Sequence, residues 1–216
     1  MPATYSRAMR EPGQRMRSQL LDAAVQLFKV RGIGGTSVSE IAEAAGAFPS
    51  QVTYYFRTKE ALFVEGACRE MLYAAEQAEN AAARARTLDT YVEALVVQAV
   101  AAEGLAMFIE ALTLARRRQD LAPLIARTVE RLHTEGARAY AEIRARRGWP
   151  LSDDPSLRAR RFWALVLGVV LRDAATGTAS THSTAEILEL LRTEWTLPHI
   201  GAEPRVQLKA VPASSG

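Results

Sequence analysis

This 216-residue sequence has one cysteine, three histidines and no long uninterrupted apolar run, and each shortage removes a class of explanation. A lone Cys68 forbids an intrachain disulfide and fits a reducing cytoplasm. With no second cysteine nearby, its expected role is a buried thiol rather than a redox sensor. His133, His182 and His199 lie on separate segments without a zinc-ligand spacing, and CxxC is absent, so neither a metal nor a cofactor is expected. GxSxG, the P-loop and GxGxxG are also missing; Gly34-Gly35 belongs to a helix-ending turn. No catalytic constellation remains, and the chain is not read as an enzyme. The longest apolar run, Phe162 to Leu171, is half of the ~20 residues that span a bilayer. No apolar segment follows the N-terminal arginines, so a secretory signal is not expected. These shortages describe a soluble cytoplasmic protein without a membrane partner.

What is present is a helical chain with ample core material. Hydrophobic residues make up 49% of it, enough for one large or two small domains. The net charge of +3 is unevenly spread: residues 1–59 carry eight Lys/Arg against four Asp/Glu, residues 60–216 nineteen against twenty. The basic excess therefore lies wholly in the N-terminal part, as in a phosphate-facing domain.

That part contains the most informative stretch, Gly32 to Phe63. Ser37 and Glu40 form a capping box that starts a helix near Val38. Val38, Ile41, Ala42 and Ala45 then make one apolar stripe, and Gly46 stops the helix after about two turns. Phe48 is pushed out of helical angles by the proline that follows it, and Pro49 opens a second helix at its first position. Val52, Tyr55 and Phe56 form the inner stripe of that helix. The outer face reads Ser50, Gln51, Thr53, Tyr54: uncharged hydrogen-bonding and aromatic groups suited to base edges in a major groove. Thr58-Lys59-Glu60 begins the next helix, with Lys59 placed to meet a phosphate.

RGIGGTSVSEIAEAAG, a short second helix closing in YYF, and RTKEALF together resemble the N-terminal DNA-binding domain of the TetR (tetracycline-repressor-like) family of transcriptional regulators. The likeness runs from about Arg17 to Phe63. The family usually has a small polar cap where this chain has Phe48, and often an aromatic residue where it has Thr53. The candidate DNA-facing set is Thr36, Ser37, Phe48, Pro49, Ser50, Gln51, Thr53, Tyr54, Tyr55 and Lys59. Gln51, Thr53 and Tyr54 are expected at bases or the groove, and Tyr55 and Lys59 at phosphates. Thr36 and Ser37 are further phosphate donors, with capping as the alternative role.

The expected fold is all-α: a three-helix, helix-turn-helix domain followed by a larger helical bundle. Residues 1–13 are expected as a flexible arm able to enter a minor groove, 14–60 as the DNA-binding domain, 61–200 as the effector-binding and dimerisation bundle, and 201–216 as a loose tail. The first helix runs from about Gln14 to Arg31 on Leu20, Leu21, Ala24, Leu27 and Phe28. Arg15 and Arg17 at its start face either phosphate or solvent. Later helices are expected at about Lys59–Arg84, Leu88–Ala101, Glu103–Arg118, Leu121 to Ile143, from a cap at Asp153 or Asp154 to Thr176, and Thr184–Thr196. Arg116-Arg117-Arg118 reads as a solvated C-terminal turn favoured by the helix dipole. Phe162 to Leu171 is apolar all round, and with the last helix it predicts either a four-helix homodimer interface, which the resemblance also implies, or a larger intramolecular core.

A small-molecule effector site is expected between the middle helices, where Tyr91, Met107, Phe108, Glu110, His133 and Trp163 are the candidates. Their makeup suits an apolar ligand with one polar group. The combined reading is a dimeric DNA-binding regulator, a repressor released from a palindromic operator by a small molecule. Two other readings stay open: a ligand-independent activator or architectural DNA binder, and a helical interaction module that no longer binds DNA.

Overall fold

The computed structural model describes residues 3–149, 154–177 and 180–196; His199 and the expected tail at 201–216 lie outside them. Among these residues the regular structure is entirely helical: α1 (Ala3–Arg31), α2 (Val38–Ala44), α3 (Pro49–Phe56), α4 (Lys59–Ala82), α5 (Leu88–Ala101), α6 (Glu103–Arg117), α7 (Ala122–Arg147), α8 (Pro155–Thr176) and α9 (Ser180–Thr196). The helix boundaries follow local chemistry. Ser37 accepts from the Glu40 amide at 3.2 Å while Glu40 accepts from the Ser37 amide at 2.8 Å, closing the capping box of α2. Thr58 caps α4 by accepting from the Ala61 amide, and Asp154 caps α8 by accepting from that of Ser156. Gly148 ends α7 with φ +68°, a left-handed residue that a side chain would strain.

One boundary departs from expectation. The helix expected from Gln14 begins at Ala3, so the backbone assigned to a flexible arm is continuous with α1. Pro12 lies inside α1; a proline removes one helical hydrogen bond but kinks rather than ends a helix whose flanks favour that conformation.

α1 to α3 pack as a small head over the start of α4. Leu20, Ala24, Val25, Ile41, Ala42 and Val52 are almost fully buried, and the rings of Phe28 and Phe63 meet edge to face at 5.2 Å between centroids. Polar ties reinforce this packing. The Arg17 guanidinium pairs with Glu65 and lies 4.6 Å from the centroid of the Phe56 ring, joining α1 to α3 and α4. Lys29 pairs with Glu70 on α4 at 2.8 Å and reaches Glu103 on α6 at 3.4 Å.

The hydrophobic core continues without a break from the head into the bundle, and α4 is the helix common to both. α5 and α6 are bent by 66° relative to each other and pack against α4, while α7 and α8 close the far side. No single described helix is long and apolar enough to cross a membrane. Two glycines permit the closest crossings. A Cβ on Gly66 would stand 2.8 Å from Val25 Cγ2, and one on Gly104 would stand 2.7 Å from the Glu70 carbonyl oxygen. Val25 can shift; a helical backbone cannot. Gly104→Ala should therefore cost about 1–3 kcal/mol and lower the Tm by several degrees. Gly34→Ala, where nothing lies within 4 Å of the added carbon, should be near neutral. Thermal unfolding of the two variants side by side checks this.

Candidate functional site

The candidate DNA-facing surface of the head is α3 with the turns at its two ends. Ser50, Thr53 and Tyr54 are exposed, Tyr54 at 80%, and Phe48 stands 76% exposed beside Pro49. Phe48 has no side-chain acceptor, so the N-terminus of α3 lacks the usual cap. Gln51 fills half of that role: its Oε1 accepts from the Phe48 amide at 3.0 Å, leaving the side-chain NH2 to donate elsewhere. The Tyr54 and Tyr55 rings meet edge to face at 5.0 Å. Tyr55 is half-buried, and its hydroxyl sits where a Cβ on Gly13 of α1 would lie 3.4 Å away.

Three candidate phosphate donors are engaged inside the head. Thr36 is 2% exposed, and its hydroxyl donates to the Gly32 carbonyl at 2.9 Å. The Ser37 hydroxyl serves the α2 cap. The Lys59 ammonium donates to the Ile33 carbonyl at 2.7 Å and the Thr36 carbonyl at 2.8 Å, fastening the start of α4 to the α1–α2 turn. One of its three donors is left over. Arg17 is likewise held by Glu65 and Phe56 rather than turned outward.

Arg57, which carries no role in the sequence reading, is exposed at the α3–α4 turn with φ +65°. A non-glycine residue there costs energy and is uncommon. Its sequence signal is weak, since one arginine after an aromatic residue is ordinary.

The second site is a cavity between α4, α5, α7 and α8, lined by Ala75, Ala78 and Glu79, by Tyr91 and Leu95, by Gly136 and Tyr140, and by Arg158, Ala159, Phe162 and Trp163. Its free volume of about 30 Å³ is room for about two waters. Of the expected ligand residues, Tyr91 and Trp163 line it. Met107 and Phe108 are buried in the core but not in its wall. Glu110 is exposed, because the buried stripe of α6 runs through Met107, Phe108, Ala111 and Ala115 and leaves position 110 on the opposite side. His133 is half-buried outside the lining; burial and the nearby Arg160 charge hold its pKa below the usual value. The expectation that Glu110 and His133 share a pocket is therefore corrected: the acidic group of this cavity is Glu79.

Glu79 is half-buried, and no hydrogen bond or ion pair engages its carboxyl among the described residues. Burial, then the charge of Glu135, pushes its pKa up to about 7; Arg138 opposes, and Glu76 and Glu142 add to the rise. Tyr91 is shifted upward too, by burial and then by Glu79 and Tyr140, so its phenol remains a neutral O–H. Arg158 is buried with its guanidinium carbon 5.5 Å from the Tyr140 ring centroid. Cys68 lies elsewhere, buried, with its thiol pKa raised by that burial.

Comparison with known proteins bears on both regions. Residues 20–65 match the family described as bacterial regulatory proteins, tetR family, and residues 88–192 match the bacterial transcriptional repressor C-terminal family. The HTH-type transcriptional regulator AcrR of Shigella flexneri is 37% identical over 60 residues, which is 28% of each chain. YdgC of Bacillus subtilis (strain 168), also an HTH-type transcriptional regulator, is 42% identical over 57 residues, 26% of this chain and 29% of its own. The chain thus spans under a third of the length of these curated relatives. A Rhodococcus sp. RHA1 protein assigned as a transcriptional regulator is similar over far more: 35% identity, 85% of this chain, 97% of its own, with a TM-score of 0.74. With the head and the bundle each matched by its own family and 85% of the chain matched by a solved relative, this protein belongs to the TetR family of DNA-binding transcriptional regulators.

Proposed function

We propose that this protein is a homodimeric repressor that binds a palindromic operator and is released from it by a small molecule held in the α4–α5–α7–α8 cavity. The observation that carries the reading is the continuity of α4: Lys59 at its first turn is hydrogen-bonded into the head, and Glu79 near its last turn lines the cavity. Twenty residues of helix separate them by about 30 Å. The cavity is too small for an organic ligand as it stands, so occupancy requires α7 and α8 to part from α4. A rigid helix then carries that displacement to α3. Ligand and operator would oppose each other through a coupling free energy, typically about 1–3 kcal/mol. The match of residues 88–192 to repressor C-terminal regions supports the sign of regulation.

In this reading α3 enters a major groove. Tyr54, Thr53, Ser50 and the free amide of Gln51 face bases, Phe48 offers an apolar contact for a thymine methyl, and Arg57 with the leftover Lys59 donor meets phosphate. Two heads would read half-sites ~34 Å apart or a multiple of it. The pairing surface would be the outer face of α8 with α9: Ala164, Gly168, Leu171 and Ala175 recur on one side of α8 and are exposed, and Leu190 of α9 is 44% exposed. The small residues would let a second copy approach closely.

Selection of bound sequences from a random duplex library tests the operator; a two-fold-symmetric winner bound with nanomolar affinity is expected, and binding without sequence preference would sink the reading. On that operator, Tyr54→Ala should weaken binding at least about tenfold with an unchanged Tm. Lys59→Ala should lower both affinity and Tm, because it removes two internal hydrogen bonds as well as a charge. Leu171→Glu should convert the dimer to a monomer in light scattering and abolish operator binding in the same sample.

A further inference from the structure

The geometry points to a lipophilic organic monocation as the class of ligand this cavity takes, with Glu79 as its counter-ion and the aromatic walls as its apolar seat. This rests on the reading of the cavity as the effector site.

The walls are unusual in two respects. Four of the lining residues, Ala75 and Ala78 of α4, Gly136 of α7 and Ala159 of α8, are the smallest available, so space is created where three helices converge. Around that space stand Tyr91, Tyr140, Phe162 and Trp163, with the Phe162 and Trp163 rings edge to face at 5.0 Å and Tyr91 5.9 Å from Tyr140. Ring faces attract cations, most strongly where water is excluded. The Gly136 position brings charge and ring together: a Cβ there would lie 3.8 Å from Glu79 Oε1 and 3.9 Å from Trp163 Nε1. A ligand head group entering beside Gly136 thus meets the Glu79 carboxylate and the Nε1 edge of the Trp163 indole.

The competing charge is Arg158, which shares the cavity and would favour an anion. Its guanidinium lies over the Tyr140 ring, 5.5 Å from the centroid, which engages one face; its remaining charge makes an anion the rival that phenylacetate tests. Glu79, by contrast, has no ion-pair partner among the described residues, because the arginines of the neighbouring α7 surface are drawn to other carboxylates: Arg131 to Glu135 at 2.7 Å and Arg138 to Glu142 at 3.3 Å. The groove outside Glu79 carries Glu76 and Glu135 together with Arg69, Arg131 and Arg138, and each of these arginines is paired with a carboxylate other than Glu79. The groups facing Glu79 are then Glu76 on its own helix, Glu135, Arg138 and Glu142 on α7, Tyr91 on α5 and, across the cavity, Arg158 on α8. Their sum, with burial, keeps the carboxyl about half protonated near neutral pH when the cavity is empty.

The sign of the pH dependence follows. A permanent cation binds the ionised carboxylate, and the raised folded-state pKa means a proton must leave first. Affinity therefore increases as pH rises through about 7 and levels off above it.

Calorimetry on the full-length wild-type protein with three benzyl probes, each also tested for its effect on operator affinity, provides the test: benzyltrimethylammonium, its uncharged carbon isostere neopentylbenzene, and the anion phenylacetate. Benzyltrimethylammonium should bind best, about tenfold more tightly at pH 8 than at pH 6, with proton release at pH 7. Glu79→Gln should weaken the cation at least about tenfold at pH 8, abolish its pH dependence, and leave neopentylbenzene unaffected. Gly136→Leu, which fills the space beside Glu79, should remove binding of every probe while circular dichroism stays helical. If phenylacetate or neopentylbenzene equals or exceeds the cation, and Gly136→Leu blocks it, the cation assignment is overturned and the effector-site reading stands. If none of the three binds wild-type protein, or binding survives Gly136→Leu, both are overturned.

Discussion

Everything in this molecule depends on how tightly α4 is gripped along its length. At its start Lys59 is bonded to two carbonyls of the α1–α2 turn, and Arg17 reaches across from α1 to Glu65. In its middle the absence of a side chain on Gly66 and on Gly104 lets α1 and α6 approach to contact distance. Near its end Ala75 and Ala78 face an incompletely filled space. The grip is thus firm at the head and loose at the far end. A close-packed contact resists deformation, whereas a small void bordered by alanines can open at the cost of a few dispersion contacts. Mechanical freedom is therefore located where a ligand would enter, and rigidity where DNA would be read.

The contact of Lys29 with both Glu70 and Glu103 adds a second connection between head and bundle. The Glu70 hydrogen bond, foremost among its causes, holds the Lys29 ammonium pKa above its ordinary value, so the charge persists across physiological pH. Because α6 is attached at this point as well, a displacement of α4 cannot be absorbed by the α1–α4 contact alone. It must be passed to the head or to α6, and at Gly104 the α6 backbone packs so closely on the Glu70 carbonyl that an added methyl group would not fit.

Much of the architecture was legible in the sequence because it is set by local rules. The Ser37–Glu40 box, Asp154 before Pro155, and the left-handed Gly148 each specify a helix end within four residues, and the Gly32 to Phe63 stretch carries the family likeness. What could not be read arises between elements. Pro12-Gly13 looks like a break, yet the helix passes through it, because a proline weakens a helix without dictating what its neighbours do. Lys59 looks like a free surface cation until the turn at Ile33 to Thr36 folds over it. Glu110 stands in an apolar run and looks buried, but the helical period turns it outward.

Glu79 illustrates the opposite error. In the sequence it follows Ala78 and sits among Glu76, Gln77 and Asn80, as an ordinary solvated residue would. Its environment is made by residues 57 and 80 positions further on, Gly136 and Ala159, whose small size has no local meaning. A carboxyl group one step off an alanine stripe becomes chemically distinct only when two other helices bring small residues to the same point. The small side chains leave room for about two waters but supply no ion-pair partner, and burial raises the pKa toward neutrality. The same small residues give the cavity its space and leave Glu79 without a packed partner, so filling the space with larger side chains would remove the room for water and bury the carboxyl group further.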